Sequence, residues 1–362
     1  MRETTGADGA AAYDATLKVK AAYAQIEAEV FPAVKAQAGL RFEDATQAVK
    51  PIDLFGAGQA LPSAAPLEES YVLPSATVTW NFAENQQLRF GASKTITRPQ
   101  FRELAPQQYF DSDLDRLFIG NPFLVDSELV NLDARWEWFF RPGEYLTIAA
   151  FAKRIDRPVE AVVNEAGATL LQTFINAPKA NLRGVEVDYK QYFDLPIDAP
   201  WWGDNRLFVS ANYTFTDSEI RVGAGDLAFP LAGLGAPRPA AELFRDGAPM
   251  QGQSENIANL QLGVEGEASK LQATLIANFV DERVSARGRP GQPDFVQDPG
   301  LTLDFVVRKG IMFGDQEVTL GFEARNITGQ DFEEYQELGG GRVDINRYEL
   351  GTSFSLTLST QF

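Results

Sequence analysis

From Tyr348 to the end of the chain, side-chain character alternates residue by residue, which constrains the fold more than any other feature. The even positions read Tyr348, Leu350, Thr352, Phe354, Leu356, Leu358, Thr360 and Phe362, and the odd positions Glu349, Gly351, Ser353, Ser355, Thr357, Ser359 and Gln361. One set is largely apolar and aromatic, the other small and polar. A two-residue period of this kind belongs to a strand whose two faces meet different media.

The same alternation recurs upstream. Val34, Ala36, Ala38, Leu40 and Phe42 alternate with Lys35, Gln37, Gly39, Arg41 and Glu43, and Val78, Trp80 and Phe82 oppose Thr77, Thr79 and Asn81. Segments 130–140, 183–193 and 206–216 behave likewise, with Trp136 and Trp138, Val185 and Val187, and Tyr213 and Phe215 on their apolar faces. With weaker versions near 16–30, 86–98, 145–156, 257–266, 270–282, 300–309 and 316–327, the pattern predicts about thirteen strands. Most run about 10–15 residues, against a usual ~5–6 in soluble sheets, and a tilted strand crossing a bilayer needs ~9–11.

Connections carry a second signal. Short turns such as Glu84-Asn85, Arg141-Pro142-Gly143 and Gly310 to Asp315 alternate with long loops over 44–70, 99–127, 157–180, 218–254, 283–299 and 328–346. With the C-terminus placed in the periplasm, every long loop falls outside the cell, the arrangement of an outer-membrane barrel. The fold class is therefore all-β, a transmembrane antiparallel meander. A soluble sandwich also alternates, but it covers one face with a second sheet and does not gather its long loops at one end.

An odd strand number would leave the first and last strands parallel neighbours. Unpaired edges facing lipid cost several kcal/mol per backbone group, so further strands are expected upstream. The start of the chain, MRETTGADGAAAYDATL, has no apolar core of a signal peptide, so the chain reads as mature or as part of something longer.

Composition removes whole function classes. A net charge of −18 argues against nucleic acid as a partner. There is no Cys and no His, which removes thiolate chemistry, the common zinc sites and His-based catalytic triads, and no Gly-x-Ser-x-Gly elbow occurs. No enzyme activity and no cofactor are expected. Asp111, Asp113 and Asp115 alternate like calcium ligands, but the following residues do not fit an EF-hand loop, and no metal site is expected.

Several segments resemble the C-terminal region of the TonB-dependent receptor family of Gram-negative bacteria. They are GASKTITRPQFRELAP (Gly91 to Pro106) followed by GNPFL (Gly120 to Leu124), NLRGVEVDYKQYF (Asn181 to Phe193), ANYTFTDSEI, VTLGFEARNITGQDFEEY and the closing NRYELGTSFSLTLSTQF. The resemblance covers nearly the whole chain from about residue 13. It implies a 22-stranded barrel in the cell outer membrane with its lumen closed by an N-terminal plug. Residues 1–362 would supply the C-terminal portion of that barrel, without plug or early strands.

The function so implied is uptake of a large nutrient, a saccharide, siderophore or similar, using energy relayed by TonB. The expected partners are outer-membrane lipid, the plug, TonB through the N-terminal region, the barrel-assembly machinery and an unidentified nutrient ligand. Ligand-binding candidates are Arg98, Arg102, Tyr109, Phe110, Asp111, Asp113 and Arg116 in the loop after a strongly alternating strand. Glu186, Asp188 and Lys190 share a face and are read as lumen groups. Trp136, Trp138, Trp201 and Trp202 are read as part of an interfacial aromatic girdle. Tyr348, Phe354, Leu358 and Phe362 resemble the terminal signal read by the barrel-assembly machinery. The alternatives are a passive porin-like channel, a barrel fragment inactive alone and, third, an outer-membrane hydrolase.

Overall fold

The computed structural model describes residues 12–52, 65–112, 114–166, 169–197, 199, 202–231, 235–288, 291–314 and 316–360, so Asp113, Trp201 and Phe362 lie outside the described residues. The alternating segments form thirteen long strands: β1 (Ala12–Phe31), β2 (Val34–Ile52), β3 (Leu67–Ala83), β4 (Gln86–Thr97), β5 (Ser127–Arg141), β6 (Glu144–Asp156), β7 (Lys179–Phe193), β8 (Arg206–Arg221), β9 (Asn256–Gly266), β10 (Leu271–Val280), β11 (Gly300–Phe313), β12 (Gln316–Arg325) and β13 (Ser353–Thr360). They lie side by side in chain order as one antiparallel sheet, with β1 and β13 as its edges among the described residues. No helix among the described residues is long and apolar enough to cross a membrane.

Register makes the two faces continuous. Val34, Trp80, Leu88, Trp136, Ile148, Val187, Tyr213, Ala258, Phe279 and Leu301 are successive cross-strand partners from β2 to β11. Together they form one apolar row ten strands wide. On the opposite face, Gln87, Glu137, Thr147, Asp188, Asn212, Asn259, Asn278 and Thr302 form a polar row eight strands wide. Polar partners bond along it: Gln87 Nε2 donates to Glu137 Oε2 at 2.5 Å and Asn259 Nδ2 to Asn212 Oδ1 at 2.7 Å. The apolar row starts at the first residue of β2, beside a turn, and ends at the far ends of β10 and β11. A register row that climbs across the sheet is the stagger of tilted strands.

Glu186, Asp188 and Lys190 are indeed on the polar face, between Val185, Val187 and Tyr189. The apolar face is bare. Leu132, Val185, Leu260, Leu262, Leu275 and Leu320 are all exposed, as are Phe354, Leu356 and Leu358 on the edge strand. A surface of that extent does not suit water.

Four turns, at 32–33, 84–85, 142–143 and 267–270, are tight, and β11 and β12, like β7 and β8, are joined at the same end of the sheet. Ala33 (φ 65°) and Gly143 (φ 80°) supply the left-handed residues that reverse the chain in so little length. The other six connections, 53–66, 98–126, 157–178, 222–255, 281–299 and 326–352, all leave from the opposite end of the sheet.

Two sequence readings change in detail. Strands outrun the visible alternation: β2 continues to Ile52, inside the segment read as loop 44–70. The last strand is shorter than its alternation, since β13 begins only at Ser353. Tyr348 closes a separate hairpin strand, Gly341–Tyr348, and stacks on Phe332 with ring centroids 4.7 Å apart. Gly351, at φ 68°, breaks the extended chain between them.

The long connections carry structure of their own. Gln108–Asp111, Arg116–Ile119, Thr169–Asn176 and Val159–Ala166 form one four-stranded sheet, and Arg283–Ala286, Phe295–Gln297, Phe332–Leu338 and Gly341–Tyr348 form another. The two meet where Val162 bridges Arg287: Val163 N donates to Arg287 O and Arg287 N to Ala161 O, each at 2.8 Å. The buried cores lie in this loop layer. Val162 enters one cluster with Ile175, Ile220 and Phe244; its neighbours Ala161 and Val163 enter another with Phe118, Phe174 and Phe295.

Candidate functional site

What fixes the loop layer is a small number of long-range polar contacts. β4 runs straight into the short helix Phe101–Leu104, where Gln100 and Glu103 form a capping box. Gly120 lies against this helix, and a Cβ there would collide with the carbonyl oxygen of Ala105, so only glycine permits the approach. Asn121, fully buried, then ties three connections together. Its backbone N–H donates to Glu103 O at 2.6 Å, and its Nδ2 donates to Phe174 O and Phe229 O at 2.9 Å each. The quoted segments around GNPFL and NLRG are thus packing requirements. At Gly184 a Cβ would strike the Phe215 carbonyl and the Phe151 ring.

Two buried arginines join the small sheets. Arg116 is 1% exposed; its Nη2 meets Glu334 Oε2 at 2.6 Å, its Nη1 donates to Gln172 Oε1 at 2.9 Å, and its guanidinium lies 4.8 Å from the Phe295 ring centroid. Ser285 Oγ donates to the other oxygen of Glu334. Arg287 pairs with Glu160 at 2.7 Å and Asp294 at 3.0 Å, and donates to Pro249 O. Burial pushes the Glu160 carboxyl above the usual carboxylate range, against the pull of Arg287.

The remaining binding candidates fall at different depths. Arg98 pairs with Glu43 at 2.8 Å and approaches Asp126 at 3.8 Å, at the junction of the long strands with the layer. Arg102 is exposed on the short helix. Tyr109 stacks on Phe118 at 5.2 Å, with its hydroxyl buried and without a hydrogen-bond partner among the described residues. Phe110 and Asp111 are half-buried, and Asp111 Oδ1 accepts from Leu114 N at 3.3 Å. Arg102 and Asp111 both lie close enough to Tyr109 to act on its hydroxyl electrostatically, and Arg116 lies inside the layer. No metal-holding cluster of carboxylates occurs among the described residues.

Burial raises the Tyr109 hydroxyl to about 12. A phenol whose folded pKa lies above its unfolded value of about 10 favours the folded hairpin only while protonated. Stability is then fully present below pH ~10 and is lost as pH rises towards 12. The tyrosinate absorbance removed by Tyr109→Phe is expected to develop late, near pH 12, together with loosening of 108–119. Titration at the ordinary value without loosening would contradict the burial.

Elsewhere in the layer a cleft of about 1060 Å³ lies between the 238–255 segment, residues 281–288 and 291–296, and the strand Phe332–Leu338. Its floor comes from strand alternation. Val284, Val296 and Tyr335 are cross-strand partners and face the cleft, while Ser285, Phe295 and Glu334 take the other side, towards Arg116. Sequence reasoning missed this site because its walls come from three connections with no shared local period.

The sequence matches the family model described as TonB dependent receptor-like, beta-barrel, over residues 2–327. No curated protein sequence matches the chain. Among solved structures, the ferric preacinetobactin receptor of Acinetobacter baumannii aligns with a TM-score of 0.57 at 16% identity, covering 97% of this chain and 44% of that one. A mutant ferric enterobactin receptor of Pseudomonas aeruginosa aligns at 0.55 and 13% identity, covering 95% and 45%. A siderophore receptor from the same organism aligns at 0.53 and 14%, covering 96% and 49%. At these identities the likeness is one of fold, and the chain spans about half the length, or less, of these receptors.

Proposed function

Because the chain belongs to the TonB-dependent receptor β-barrel family, we propose that it forms part of an outer-membrane receptor that captures a large nutrient at its loop layer and passes it inward with TonB-relayed energy. The observation that carries this reading is the pairing of a bare apolar face with a polar face across the sheet, with every long connection at one end. Acyl chains cover the first face and a wet lumen meets the second. Trp80, Trp136 and Trp138 lie towards the turn end of the apolar face, where indoles sit at headgroup level. The remaining strands of a 22-stranded barrel, the plug and the TonB contact would come from regions outside this chain. Phe354 and Leu358, bare on β13, together with Phe362, are the groups we assign to recognition by the barrel-assembly machinery; Tyr348 would contribute from the neighbouring hairpin.

For the ligand, the hairpin bearing Tyr109, Phe110, Asp111 and Arg116, with Arg98 and Arg102 before it, forms one wall of the layer, and the cleft floored by Tyr335 forms another; Asp113 stays a candidate from the sequence alone. Contact by Arg116 itself would require the layer to open. The neighbours named above are siderophore receptors, which supports uptake as the activity.

The test is accumulation of candidate nutrients by cells carrying the gene in its natural context, with and without TonB. Uptake that disappears with TonB is expected. Concentration-proportional flux that persists without TonB would instead mark a passive channel.

A further inference from the structure

We propose that the lumen face of β8–β10 is the wall from which the plug separates first, opening the passage on that side while the charged walls beside it keep their hold. This rests on the receptor reading above and places the moving surface within it. The observation that carries it is a gap in the charge of the lumen face. From Phe208 to Ser218 on β8, Ile257 to Gly263 on β9 and Gln272 to Val280 on β10, every residue on that face is uncharged. Asn212 and Thr214, Asn259 and Gln261, and Thr274 and Asn278 supply amides and hydroxyls instead. Charge returns at the foot of the strip, where Arg206 and Glu265 are register partners.

Both flanks are charged. On one side β5 presents Asp133, Arg135 and Glu137, and β7 presents Glu186, Asp188 and Lys190. On the other, β11 presents Asp304 and Arg308, and β12 presents Glu323 and Arg325. Among the described strands no other three neighbours share a lumen face this bare of charge. A hydrogen bond to an ionised group is roughly twice as strong as one between neutral groups. Amides and hydroxyls exchange a protein partner for water at little net cost, whereas parting an ion pair leaves each charge uncompensated. A plug facing this wall is therefore gripped least at β8–β10.

The strip is also clear of obstruction. A Cβ at Gly263 would strike the Phe208 ring, so that ring lies flat against the wall instead of projecting from it. At the upper end the strip runs into the cleft of the loop layer. Glu255 and Asp281, which line the cleft, stand immediately outside β9 and β10, and Asp281 N donates to Asn256 O at 2.9 Å. A solute leaving the cleft along these two strands enters the strip.

The experiment is thiol labelling of the full-length receptor, purified in detergent, with neutral N-ethylmaleimide in rising urea short of barrel unfolding. Single cysteines are placed by Asn259→Cys and Asn278→Cys in the strip and by Thr147→Cys and Asp188→Cys in the charged wall. All four belong to one register row, and this chain supplies no cysteine of its own. Each rate is normalised to that of the same variant fully denatured. The strip cysteines are expected to open at lower urea, reacting at least about tenfold faster than the other two, the margin of one charge-assisted contact. At about 1 M NaCl, where screening releases the charged wall, the gap should narrow, a readout that mere crowding around a thiol would not move. Equal rates, the reverse order, or a gap indifferent to salt would overturn the proposal. Free reactivity of all four without urea would overturn it together with the receptor reading, whereas uptake that persists without TonB while this order holds would fall on that reading alone.

Discussion

Arg116→Ala is expected to cost the loop layer about 3–5 kcal/mol, the range for removing one partner of a buried ion pair. The cost arises less from the lost attraction than from the carboxylate left behind. Glu334 is 0% exposed in its side chain, and its remaining described partner is the Ser285 hydroxyl. An uncompensated charge there either takes up a proton or draws water between the two small sheets. Because the pair joins positions 218 residues apart, its loss should release Arg116–Ile119 and Phe332–Leu338 together. Hydrogen exchange is the measurement. Both strands should lose protection while β7 and β8 keep theirs. The double variant Arg116→Met with Glu334→Leu should recover much of the protection, since apolar groups of similar volume replace buried pairs at little net cost. Unchanged exchange in Arg116→Ala would mean that the layer is held without this pair.

The second large effect belongs to the apolar face. Leu262 is 40% exposed at mid-strand in β9, between Val209 and Leu275. Leu262→Arg is expected to destabilise the bilayer-inserted protein by about 2–4 kcal/mol, the range for a cation at the midplane of an outer-membrane barrel. Gln261→Arg, one residue away on the polar face beside Ser210, should be near neutral. Reversible unfolding in lipid vesicles measures the difference. Equal effects at the two positions would show that adjacent side chains do not meet different media.

Much of this was legible in the sequence, and the reason is local. A strand between lipid and water writes its two media into consecutive residues, so Val185 to Tyr189 or Val34 to Phe42 reveal face and period without a partner. The ends are less legible because the medium changes before the backbone pairing does. β2 keeps its ladder to Ile52 after the alternation has faded, and β13 loses its ladder before Ser353 although the alternation continues. The loop layer was hardest to read. Arg116 looks like any loop arginine until Glu334 is brought against it, and the strands around it are four to eight residues long. Asn121 and Gly120 did leave a trace, as part of a segment whose resemblance could be noticed while its physical reason, close packing under the helix Phe101–Leu104, could not.

The central claim is that one face of the long sheet meets acyl chains and the other meets water. The chain has no cysteine, so single cysteines can be placed at each position from Val185 to Gln191 without background. Spin labels there, in the protein reconstituted in vesicles, report collision with lipid-soluble oxygen and with a water-soluble nickel chelate. Oxygen should dominate at 185, 187 and 189 and nickel at 186, 188 and 190, in strict alternation. Uniform access of the nickel chelate to both sets would contradict a membrane-spanning sheet.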